Sequence, residues 1–204
     1  RDDLQQVMST LVESLYPLQQ YTQLSCNSVN RELTSRAAFA GNIRAILLVR
    51  DGNAYCSSAT GAFLLAASAI SPDSELERDR DVRLLPGTPL QPAKPALALW
   101  LKSPGANETG ILATMNLSMT PYQLLASYHP EITRMALVAG DSALLSGTSQ
   151  VVRSRDLPPA LTGLTLDDGS MRFVLYGSTL ASRDYTLALL TGLLLALLVA
   201  AISW

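Results

Sequence analysis

The sequence predicts an α+β fold: helices first, then an antiparallel sheet with one helix inserted, then a C-terminal helix that crosses a membrane. Three observations carry this expectation. Apolar residues near the N-terminus recur at helical spacing. Residues 43–57 read as strand, tight turn and return strand. Residues 185–204, YTLALLTGLLLALLVAAISW, contain neither a charge nor a proline.

Leu4, Met8, Leu11, Leu15 and Leu18 alternate spacings of four and three, the stripe of an amphipathic helix. Pro17 lacks an N–H and should kink or end it. Residues 27–40 predict a second helix, with Val29, Leu33, Ala37 and Ala40 on one face and Gly41 just past its end. The run IRAILLV, residues 43–49, is too apolar for a solvated sheet face and predicts a mostly buried strand. Asp51-Gly52-Asn53 supplies the positive φ of a tight hairpin turn, and residues 54–57 return. Further strands are expected at 96–102, 109–116, 133–139, 143–147 and 171–177. Thr120 and Pro121 open a short helix to about residue 128. Residues 72–83 alternate charge sign and predict a solvated loop or surface helix. The five prolines between 86 and 104 favour connections and sheet edges. No internal repeat is visible.

The 204 residues suit one medium-sized domain with an attached segment, here 1–184 followed by a membrane helix over 185–204. Twenty uncharged, mostly apolar residues match the ~30 Å hydrocarbon core, and Tyr185 and Trp204 sit where amphipathic rings prefer the headgroups. The apolar run 61–70 is too short to span. The charged fraction of 16% lies below the roughly 25% of soluble domains. The start on Arg-Asp-Asp and the span at the end lead us to expect a longer protein with a cytoplasmic portion. A net charge of −2 with dispersed Lys and Arg argues against a nucleic-acid partner.

Most enzymatic chemistry lacks its residues. The one histidine, His129, has no G-x-S-x-G elbow to serve and suits a surface or capping role. Two Cys and one His fall short of the four ligands of a structural zinc site. There is no P-loop or dinucleotide fingerprint, so neither cofactor nor metal is assigned and no residue is catalytic. An exported thiol oxidoreductase would need C-x-x-C, which is missing. A membrane-anchored adhesion domain has nothing specific in its favour. What remains is Cys26 at the start of the second helix and Cys56 at the end of the hairpin. They form either a staple or two free thiols. A bond would close about 30 residues and contribute roughly 3.5 kcal/mol.

Cys56-Ser57-Ser58 after a buried strand and an Asp-Gly turn, with a partner cysteine in the preceding helix, resembles the CSS-motif domain. That domain is the periplasmic sensor of enterobacterial EAL-type cyclic di-GMP phosphodiesterases, and the resemblance covers nearly the whole chain. It implies a Cys26–Cys56 disulfide made by the periplasmic oxidation machinery. It also implies an inner-membrane protein with residues 1–184 in the periplasm, and an EAL hydrolase domain after the span that uses a divalent metal such as Mg. Reducing the bridge would raise phosphodiesterase output and expose the domain to periplasmic proteases. The roles of Ser57 and Ser58 are open: they bond the turn or leave room for the bridge, and the second is favoured. The helix-then-hairpin order also suits a PAS/Cache-like fold, so the alternative function is a small-molecule-binding extracytoplasmic sensor. Dimerisation is left open.

Overall fold

A computed structural model describes residues 2–40, 43–117, 132–146, 148, 150–159, 162–165, 171–177 and 191. The N-terminal stripe forms helix α1, Asp2–Leu15, which tightens into a 3-10 helix, Tyr16–Gln23, with Pro17 in its first turn. The α-helix ends at Leu15, as Pro17 predicts, and the chain continues in the tighter 3-10 form. Helix α2, Cys26–Phe39, follows directly and buries Val29 and Leu33. Strands β1 (Ile43–Arg50) and β2 (Asn53–Ser57) make the hairpin around Asp51 (φ 49°) and Gly52 (φ 74°), the left-handed pair that a two-residue turn requires.

The chain continues through β3 (Gly61–Ala66), a single helical turn α3 (Ala67–Ile70), β4 (Arg80–Leu85), β5 (Ala96–Lys102) and β6 (Gly110–Asn116). After the undescribed residues 118–131 come β7 (Ile132–Ala139), β8 (Ser142–Leu145), β9 (Val151–Arg153), β10 (Thr162–Thr165) and β11 (Met171–Gly177). The expected helix over 120–128 and His129 lie outside the described residues. So does the expected span 185–204, except Thr191, which is helical. Among the described residues no helix is long and apolar enough to cross a membrane.

Among the described residues two antiparallel sheets are present where one was expected. The first has the order β3-β2-β1-β6-β5-β4, the second β10-β11-β7-β8-β9. Numbered within themselves the orders are 3-2-1-6-5-4 and 3-2-1-5-4, so the same winding occurs twice without a repeat in the sequence. Apolar patterning marks strands but not their partners, and this division was invisible in it.

The first sheet is covered on both faces, which explains why β1 and β5 read as continuous apolar runs. Ile46, Leu48, Leu99 and Ile111 face the helical layer and meet Leu15, Leu18, Val29 and Leu33. Leu47, Val49, Trp100 and Leu112 face the other way, against Ala67 and Ile70. Val82 and Leu84 of β4 belong to the first cluster together with Leu137, Ala139, Leu144 and Met171, which joins the two sheets.

The charged run 72–83 is corrected by β4. Its second part is a strand because its inward charges satisfy one another: Arg83 Nε donates to Asp81 at 2.8 Å, and Arg83 Nη2 donates to Glu75 at 2.8 Å. With that pair neutralised, Val82, Leu84 and Leu85 can be buried. The apolar run 61–70 forms an edge strand and a turn of helix.

Candidate functional site

Helix α2 lies across the end of β2 and meets it in three successive steps. Cys26 and Cys56 are bonded, with their Cα atoms 5.1 Å apart. One helical turn on, Asn30 Nδ2 donates to the carbonyl of Ser57 at 3.1 Å. A turn further, Thr34 Oγ1 donates to the carbonyl of Ser58 at 2.9 Å. Residues at i, i+4 and i+8 share a helix face, so 26, 30 and 34 run alongside 56, 57 and 58 in order. Gly61 has a φ of 78°, and a Cβ there would stand 3.3 Å from the Asn30 amide nitrogen, so a side chain at 61 would crowd this face.

The serines take part in bonding. The Ser58 N–H donates to the carbonyl of Ile46 at 2.9 Å, as an antiparallel ladder requires. The return bond is different: the Ile46 N–H donates to Ser58 Oγ at 2.9 Å. The Ser58 carbonyl accepts from Thr34, and the hydroxyl takes its place on β1. Ser57 Oγ accepts from the Ala59 N–H at 3.1 Å and shapes the turn that follows. The preference for serines that merely leave room is thereby reversed. Both hydroxyls are bonded, and both residues are buried.

The cystine is buried too: Cys26 is 7% exposed and Cys56 0%. A β-bulge places it. Leu48 pairs with Cys56 but Val49 pairs with Ala54, which leaves Tyr55 as the extra residue. In a regular strand Ala54 and Cys56 would share a face. Here Ala54 joins the cluster on the far face, while Cys56 and the partly buried Tyr55 both face the helices.

Tyr55 works with Arg50 across the hairpin. The Arg50 guanidinium lies 4.5 Å from the Tyr55 ring centroid. It donates from Nε and Nη2 to the carbonyl of Thr22, at 3.0 and 2.6 Å, and from Nη2 to that of Leu24, at 3.2 Å. The Tyr55 hydroxyl lies 3.0 Å from the Thr22 carbonyl. Carbonyls at a helix C-terminus lack intrahelical partners, and a cation complements them. Burial pushes the Tyr55 hydroxyl above its ordinary pKa, and Arg50 pulls it part of the way back. The segment joining the 3-10 helix to α2 is therefore held twice, by Arg50 just before Cys26 and by the cystine itself.

The structure thus brings Cys26, Cys56, Ser57 and Ser58 into one junction. Asn30, Thr34, Arg50 and Tyr55 belong to it as well and escaped the sequence reading. The spacing of four between Cys26, Asn30 and Thr34 is present in the sequence, but polar residues beside an apolar stripe read equally well as the solvated face of the helix. Among the described residues no group of three or more metal-ligating side chains occurs.

Fold and junction define a disulfide-stapled α+β domain in which a helix is fixed to a hairpin by the Cys-Ser-Ser tripeptide. The chain belongs to the family described as the CSS motif domain associated with EAL, whose model matches residues 1–186. It is 36% identical over 140 residues to the probable cyclic di-GMP phosphodiesterase PdeN of Escherichia coli K12, covering 69% of this chain and 27% of that protein. It is 28% identical over 193 residues to the probable cyclic di-GMP phosphodiesterase PdeD of the same organism, covering 89% of this chain and 35% of the relative. The chain thus spans about a third or less of the curated relatives it matches. Among solved structures, the periplasmic domain of RsbU from Chlamydia trachomatis is similar with a TM-score of 0.46 and 12% identity, over 91% of this chain and 97% of that one.

Proposed function

We propose that this chain is a periplasmic, redox-responsive sensor domain that regulates a cytoplasmic EAL cyclic di-GMP phosphodiesterase through a membrane span at residues 185–204. The observation that carries the reading is the bond between Cys26, at the start of α2, and Cys56, at the end of the central hairpin. Breaking it adds two electrons and two protons and yields two thiols, while a dithiol donor becomes a disulfide. The helix is then free to shift against the sheet, a two-state element biased by redox state. The relatives' names and the family description support the phosphodiesterase as the controlled activity.

Burial shapes the mechanism. Sensor cysteines are usually solvent-accessible, and these are not. A reductant reaches this bond only through a local opening of α2, so reduction and loosening are one event, and the opened junction is the segment a protease would meet. In cells, both cysteines should resist a thiol label applied to intact membranes until a reductant is added, then react together. They should react without reductant when the periplasmic oxidation machinery is disabled. Labelling of both thiols in untreated wild-type membranes would overturn the proposal.

A further inference from the structure

The edge of the first sheet formed by β4 carries a second candidate site, remote from the junction. Loop residues Asp73 and Glu75 and the strand residue Arg83 face Asp141 in the β7–β8 turn, Arg153 at the end of β9 and Arg155 just after it across a cleft of about 590 Å³. That volume suits a small ligand. The wall is firmly built. Arg83 is fixed by Asp81 and Glu75, and its Nη1 lies 3.0 Å from where a Cβ at Gly140 would stand, so its guanidinium is seated on the β7–β8 turn. On the second sheet the Ser154 N–H donates to the Asp141 carbonyl at 2.7 Å, which ties the turn to the segment carrying Arg153 and Arg155.

The fixed groups neutralise each other and the others do not. Among the described residues the side chains of Asp73, Asp141 and Arg153 have no hydrogen-bond or ion-pair partner, and Arg155 has only a 3.9 Å contact with Asp156 at an exposed position. The cleft is therefore lined by solvent-exposed carboxylates and guanidiniums, Asp73 and Asp141 with Arg153 and Arg155. Guanidinium pairs favour a carboxylate, and the two aspartates favour an ammonium. We propose that this cleft binds a small zwitterion, an amino acid or short peptide, whose carboxylate meets Arg153 and Arg155 and whose ammonium meets Asp141 and Asp73. A ligand there contacts both sheets at once, which makes the cleft an input separate from the disulfide.

The test is calorimetric titration of the whole chain in detergent with the twenty L-amino acids and a set of glycyl dipeptides. At least one should bind at millimolar concentration or below. Arg153→Gln and Asp141→Asn should each weaken it about ten-fold or more, the loss expected for one charge-assisted hydrogen bond, with an unchanged circular dichroism spectrum. Acetate and methylammonium, each carrying one of the two charges, should bind at least about ten-fold more weakly. Failure of the whole panel to bind, equal affinity in both variants, or equal binding of acetate would overturn the proposal.

Discussion

Ser58 shows how much one hydroxyl can decide. The Ile46 N–H is buried in the centre of the sheet, and Ser58 Oγ is the acceptor it meets. Ser58→Ala leaves that donor unpaired and should lower the unfolding free energy by about 1–3 kcal/mol. Ser57→Ala removes a bond to a turn N–H beside partly exposed backbone and should cost about 1 kcal/mol or less. Urea unfolding of the two variants checks the order, and equal losses would show that the ladder substitution at Ser58 is unimportant. Residues 56–58 were legible in the sequence as a motif but their division of labour was not. It depends on which way the Ser58 carbonyl turns, and that is set by Thr34, 24 positions earlier. Tyr55 is the plainer case. Period-two alternation puts it opposite Cys56, and only a bulge, which leaves no local signature here, brings both to the helices.

Among elements, α2 is held by unequal ties. The bridge closes 30 residues and is worth roughly 3.5 kcal/mol. The Asn30 and Thr34 bonds add about 1 kcal/mol each, so the bridge is the largest of the three ties to residues 56–58, and the buried Val29 and Leu33 hold the helix besides. Cys26→Ser, Cys56→Ser and the double variant should therefore lose the same few kcal/mol, because all three remove one bond. Strictly additive losses would mean that the cysteines act separately. Because the cystine is reached by opening α2, Asn30→Ala should also speed its reduction by dithiothreitol, about five-fold for 1 kcal/mol of weakened closure. An unchanged rate would show that the reductant reaches the sulfurs without moving the helix. Most elements were readable from periodicity: β5 and β11 have their expected bounds, and α2 begins one residue earlier than expected. The misses share a cause. β3, β4, β9 and β10 are the four sheet edges, where one side of the strand is unpaired and the apolar pattern is weakest, and in β4 an ion pair interrupts it further.

At the scale of the whole molecule, the junction and the cleft sit at opposite ends of the first sheet, on its β2–β3 side and its β4 edge. Both touch elements that a signal would have to move: the helices that lead in from the N-terminus, and the second sheet, whose β11 precedes the proposed span. Moving a two-state element from 1:99 to 99:1 needs about 5.5 kcal/mol of bias. A bridge worth roughly 3.5 kcal/mol supplies part of that, so reduction should give partial activation. The most direct measurement is cyclic di-GMP hydrolysis by membranes carrying the full-length protein as wild type, Cys26→Ser and Cys56→Ser at equal protein levels. Both variants should hydrolyse faster than oxidised wild type and match wild type after reduction. Equal rates in all three, oxidised or reduced, would contradict the account and leave the bridge a staple.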